Sequence, residues 1–147
     1  SMEQYKRILI PTDGSKSNEV VIDKGLSLAR LLGAKVKLLF VVDTSTFTDI
    51  PPDELITTLK GYMEAEGNTI LDEVEERAKD MGIEMEKSIV EGHPAKVIID
   101  ESEKQDIIVM GTHGRSGLTK LLMGSTAEKV IHHSKCPVMV IKIEKEE

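Results

Sequence analysis

The chain has 147 residues, with no Trp, two Phe, two Tyr, one Cys and a formal net charge of −7 at pH 7. That length suits a single domain over residues 1–147, whose core must be built from Ile, Val, Leu, Met and Ala. The acidic balance argues against a duplex nucleic-acid binder, scarce aromatics argue against single-strand stacking, and one Cys excludes an internal disulfide framework.

From the start, Ser1 ahead of Met2 reads as a residue left by tag removal, and the apolar residues Ile8 to Pro11 are too few for a secretory leader. No run approaches the ~18 apolar residues of a membrane span. A cytoplasmic location is therefore the expectation, and the lone Cys fits a reducing compartment.

Arg7 to Pro11 forms a short apolar strand. Ser17 to Leu32 follows as a helix, with Ser17 as N-cap and Gly33 as its stop. Lys35 to Val42 is the second strand, and its unbroken Leu38 to Val42 run implies burial on both faces. Asp43 to Pro52 is polar and irregular, since Pro51-Pro52 fits neither a helix interior nor a central strand. Asp53 to Met81 has helical spacing, weakened in its first half by Gly61 and Gly67, and Gly82 closes it.

Ile83 to Val90 alternates as a third strand, and Gly92-His93-Pro94 turns the chain into a helix reaching about Lys104, with Pro94 in the first turn. Asp106 to Met110 is a fourth strand, Thr126 to His133 a helix and Pro137 to Ile143 a fifth strand. Strands alternating with helices predict an α/β fold with an open parallel sheet and helices on both faces. Ligands of such sheets bind beyond the carboxyl ends of the strands, where strand order reverses.

Three loops lie at those ends. After strand one comes Pro11-Thr12-Asp13-Gly14-Ser15, where Asp13 can accept hydrogen bonds from ribose hydroxyls or join a hydrated metal shell. A turn or helix-opening aspartate is the commoner role for such a residue. Strand two ends at Val41-Val42-Asp43, whose backbone groups could read the edge of a base, as could those of most strand ends. After strand four, Gly111-Thr112-His113-Gly114 is followed by Gly124-Ser125-Thr126. Glycines beside a Ser/Thr-started helix can bring backbone N–H groups onto a phosphate, helped by the helix macrodipole. Arg115 and Lys120 could add charge-assisted contacts, although a solvated surface is the commoner setting. The loop carries neither G-x-x-x-x-G-K-[ST] nor G-x-G-x-x-G, so it is a different phosphate cradle from either.

At these residues the chain resembles the universal stress protein family, whose nucleotide-binding members carry G-x2-G-x9-G-[ST] after the fourth strand. The pattern is complete as Gly111, Gly114, Gly124 and Ser125. Ile8 to Ser15, Gly92-His93-Pro94, Met110 to Arg115 and Cys136-Pro137-Val138 are similar to that family as well. The resemblance implies a Rossmann-like, adenine nucleotide alpha hydrolase-like sheet of order 3-2-1-4-5, with ATP in the strand-end crevice and assembly as a homodimer. The implied site comprises Pro11, Thr12 and Asp13, then Val41, then Met110, Gly111, Thr112, Gly114, Arg115, Gly124, Ser125 and Thr126. Within it Asp13 would meet the ribose or an accompanying Mg2+ or Mn2+, Val41 the adenine, and the glycines with Ser125 and Thr126 the phosphates.

Catalytic groups are not assembled. His113 reads as a capping or solvent-facing loop histidine, and His132 and His133, being adjacent on a helix, diverge. Cys136 reads as a small buried side chain before a strand, and Glu75 and Glu76 as a charged helix face. The expected function is an ATP-dependent regulatory or stress-response module acting on a protein partner, with slow hydrolysis or self-phosphorylation as an accompaniment. An α-phosphate-transfer enzyme is a competing reading, but Thr12 to Ser17 has neither the Ser-Gly-Gly-x-Asp-Ser nor the His-Ile-Gly-His signature of such relatives. A nucleotide-independent dimer scaffold is another. The last strand, expected at a sheet edge, invites pairing with a second copy.

Overall fold

Apolar runs too short to span anything but a sheet, separated by amphipathic helices, fold as their spacing requires. The computed structural model describes residues 4–47, 54–113 and 123–144. Its central strand β1 (Arg7–Thr12) lies between β2 (Lys35–Asp43) and β4 (Ile107–Gly111). With β3 (Met85–Gly92) and β5 (Val138–Ile141) outside them, the order is β3-β2-β1-β4-β5 and every pairing is parallel. Pro51-Pro52 and Asp53 lie outside the described residues.

Successive residues of the inner strands serve opposite faces, as the period of two demands. On one face Ile8, Ile10, Val36, Leu38 and Phe40 pack against α1 (Glu19–Leu32) and α2 (Glu54–Asp80). On the other, Leu9, Leu39, Ile108 and Met110 pack against α3 (Pro94–Ser102) and α4 (Ser125–His133). Each fully buried Ile or Leu of this kind stabilises the fold by about 1.5–3 kcal/mol. Two cores thus clamp one sheet.

Helix ends follow the sequence to within about two residues, with α3 closing at Ser102 and α4 opening at Ser125. Gly33 closes α1 in the left-handed region (φ 66°), donating its N–H to Ala29 and Arg30 carbonyls. Ser17 is not the N-cap. A 3-10 turn, Lys16–Asn18, intervenes, and Asn18 occupies the cap position with helical backbone (φ −81°, ψ −9°) and no side-chain capping bond. The Ser17 hydroxyl is paired with that of Ser15 instead, at 3.1 Å.

α2 runs through Gly61 and Gly67 without interruption. The reason at Gly67 is packing: a Cβ there would lie 2.7 Å from the Phe40 ring, so the helix approaches β2 only without a side chain. β3 starts two residues later than the alternation implied. The Ile83 N–H still bonds the Ala78 carbonyl at 2.8 Å, so this residue finishes α2 while its side chain enters the core. β5 is shorter than expected, yet Ile143 beyond it is 5% exposed and covers Gly111.

Candidate functional site

Strand order reverses between β1 and β4, so the chain leaving β1 turns toward α1 on one face and the chain leaving β4 toward α4 on the other. The two departures open a crevice at the strand carboxyl ends. A cavity of about 460 Å3 occupies it, within the ordinary range for small-molecule sites.

The β1 side is stapled by its own short side chains. The Thr12 hydroxyl accepts the Gly14 N–H at 3.2 Å, and Asp13 Oδ1 accepts the Ser15 N–H at 2.9 Å. Gly14 sits at φ 79°, and a Cβ on it would meet Ile70 Cδ1 at 2.6 Å, so glycine is required twice over. Pro11, Thr12 and Asp13 all line the cavity. Val41 lines it from β2, where Asp43 Oδ1 accepts both the N–H and the hydroxyl of Ser45.

On the β4 side Thr112 is the hub. Its N–H donates to the Ile141 carbonyl at 3.0 Å, its hydroxyl lies 2.7 Å from His113 Nδ1 and accepts the Ile143 N–H at 3.1 Å, and its carbonyl accepts the Gly124 N–H at 2.7 Å. That last bond ties together both ends of the loop, so Gly124 and α4 are held against the exit of β4. Gly124 is the N-cap of α4, and no side chain caps the helix among the described residues. The first N–H groups of such a helix have no partner within it, and the residues that carry them, Ser125, Thr126 and Ala127, line the cavity.

Met110, Gly111, Thr112, Gly124, Ser125 and Thr126 line the same cavity as Asp13 and Val41. Gly114 and Arg115, together with Lys120, lie outside the described residues. The role of Gly111 differs from the one its loop position suggests. Its φ is not positive; a Cβ there would instead overlap Ile143 and crowd Val21, so it is small because two side chains cover it. His113 is a further correction: it does not face solvent but is 8% exposed, buried beside Thr112 where it lines the cavity. Cys136 is half-buried rather than buried. Burial pushes its thiol above the ordinary range, against a smaller opposing hydrogen bond with Ser134.

Several lining residues carry no local sequence signal. Met63 and Glu66 reach the site from α2, with Phe40 and Asp43 from β2 and Asn18 from the start of α1. Only the helical phase of α2 hinted that Met63 faces inward. Among the described residues no group of three or more His, Cys, Asp or Glu could hold a metal ion. No helix among them is long and apolar enough to cross a membrane.

An open doubly wound α/β domain with its cavity at the switch point belongs to a class whose ligands bind beyond the strand carboxyl ends. The universal stress protein family model matches residues 4–142, and the chain belongs to that family. It is 37% identical over 145 residues to universal stress protein MJ0531 of Methanocaldococcus jannaschii, covering 97% of this chain and 85% of that one. It superposes on the solved structure of MJ0577, from the same organism, with a TM-score of 0.82 at 32% identity, covering 98% and 99% of the two chains. A universal stress protein solved in complex with cAMP matches with a TM-score of 0.68 at 25% identity, over 93% and 96%.

Proposed function

We propose that this chain is a single nucleotide-binding domain that works as a regulatory module: ATP occupies the switch-point cavity and changes the conformation or pairing through which the protein acts on a partner. One observation carries the reading. The uncapped N-terminus of α4, clamped to the β4 exit by the Gly124–Thr112 hydrogen bond, opens into the same cavity as Asp13 and Val41. An anion site and a strand end able to read a base are thereby one ligand apart. Support also comes from the relative solved with cAMP, an adenine nucleotide.

In this reading Gly111, Gly114, Gly124, Ser125 and Thr126 hold phosphates, with Arg115 adding charge, and Pro11, Thr12, Met110 and Thr112 shape the walls. Mg2+ fits the donors available, since it favours one or two carboxylates plus phosphate oxygens and water, and Asp13 and Asp43 supply the carboxylates. The cation would neutralise phosphate charge beside those acids. The edge position of β5, with Met139 40% exposed, supports pairing with a second copy, and light scattering at micromolar concentration would read a dimer mass. Residence in the cytoplasm belongs to the same proposal.

Calorimetry on nucleotide-free protein with MgATP tests the reading: saturable heat is expected, and no binding at millimolar concentration would end it. Asp13→Ala should weaken MgATP more than it weakens adenosine, because the carboxylate is assigned to the ribose and metal region.

A further inference from the structure

Asn18 is a buried polar residue whose side chain makes no hydrogen bond among the described residues. It is 5% exposed, its Oδ1 has no hydrogen-bond partner among the described residues, and it lines the switch-point cavity. It does not cap α1, because its own backbone is helical rather than extended, which turns the carboxamide away from the first-turn N–H groups. A buried amide left unbonded is costly, so its retention calls for a partner.

Neighbouring groups are already committed. The Thr112 hydroxyl serves His113 and Ile143, the Thr12 hydroxyl serves Gly14, and Asp13 Oδ1 serves Ser15. The position of Asn18 is set by α1, which runs antiparallel to the strands it joins. One turn further along, Val21 packs at Gly111, where its Cγ2 would lie 3.1 Å from an added Cβ. Asn18 is therefore about 5 Å nearer the strand carboxyl ends, level with the chain as it leaves β4. That puts it on the α1 face of the cavity, across the end of the sheet from the α4 N-terminus.

We propose that Asn18 is a ligand-contacting residue, its carboxamide N–H donating to a phosphate oxygen of the bound nucleotide from the α1 side. The inference rests on the nucleotide reading of the cavity. The unpartnered Oδ1 is an acceptor, so a phosphate oxygen answers the other end of the carboxamide, the N–H2, which makes no hydrogen bond among the described residues. The amide adds a donor without adding charge beside Asp13.

The test is calorimetric titration of the unsubstituted chain, Asn18→Leu and Asn18→Asp with MgATP and, separately, with adenosine, alongside thermal melts of the free proteins. Asn18→Leu should bind MgATP about tenfold more weakly, the loss of one hydrogen bond to a charged group, while adenosine changes by less than about twofold. Asn18→Asp should lose more, since a carboxylate repels phosphate. The Leu variant should melt no lower than the unsubstituted chain, because it removes an unbonded amide; a lower melt would mark a structural residue and overturn the proposal. Unchanged MgATP affinity in Asn18→Leu, or equal weakening of MgATP and adenosine, would overturn it while leaving the nucleotide reading intact. If the unsubstituted chain binds neither ligand, both fall.

Discussion

Two hollows of similar size lie on this molecule. One, of about 530 Å3, is an open groove between α2 and β3 lined by Glu64, Asn68, Leu71, Lys87, Ser88 and Ile89; the other is the 460 Å3 cavity at the switch point. The groove is walled by the flanks of regular elements, and its lysine, Lys87, bridges Asp72 and Glu75 at 3.0 Å each. The cavity is walled by strand ends, a helix N-terminus and glycines. Volume does not distinguish the two. What the walls are made of does: strand ends and a helix N-terminus in one, the flanks of a helix and a strand in the other.

The sharpest way to break this contrast is Gly124→Val. A Cβ there would stand 3.3 Å from the Thr112 carbonyl oxygen, and a branched side chain would fill the cap of α4. MgATP affinity should fall by about a hundredfold or more, the scale of several lost charge-assisted hydrogen bonds. Lys87→Met, in the groove, should leave calorimetric affinity within about twofold. Equal effects at both hollows would dissolve the distinction.

A second test concerns the wall that α2 lends to the cavity. Gly67→Val would force the Phe40 ring toward the site and should cost about 1–3 kcal/mol in chemical denaturation, with weaker nucleotide binding. Gly61 has open space around it, so Gly61→Ala should stabilise by up to about 1 kcal/mol through helix propensity alone. The same residue type in one helix should thus give opposite signs.

Acid sensitivity should come from the far end of the sheet. Burial acts to raise the Asp106 carboxyl, but hydrogen bonds from the Arg7 guanidinium and the N–H groups of Lys6 and Arg7 outweigh it and hold the group below the usual carboxylate range. The folded state therefore binds its proton less readily than the unfolded chain. Asp106 contributes stability above the unfolded value near ~4, and that contribution is lost as pH falls through the folded value. Denaturation curves should show Asp106→Asn less stable at pH 7, converging on the unsubstituted protein in acid. Glu101 adds in the same direction: burial raises it, while Lys37 at 2.9 Å and Gln105 lower it further. At Cys136 the raised thiol should alkylate more slowly at pH 8 than in urea-unfolded protein.

Most of the sheet was legible because central parallel strands are apolar on both faces, as Ile8 to Ile10 and Leu38 to Phe40 are. The end of α1 was equally plain at Gly33, where only a residue tolerant of positive φ closes the helix cleanly. Its beginning was not. Ser17 had the right chemistry for a cap, but local bonds at Ser15 diverted it. Gly67 looked like a weakness in a helix because the sequence does not reveal that Phe40 lies against it. His113 read as capping or solvent-facing because loop histidines usually are, whereas it lies buried with Nδ1 against the Thr112 hydroxyl.

The sequence by itself determined the alternation of strands and helices and the glycines that bracket the loop, since both follow from local spacing, while the family rests on similarity along the whole chain. Tertiary structure alone decided which distant residues share the cavity. Asn18, Met63 and Glu66 come to it from α1 and α2, elements whose periodicity records a buried stripe but not what that stripe faces. Periodicity is a property of one element, while a cavity is made where several elements fail to touch.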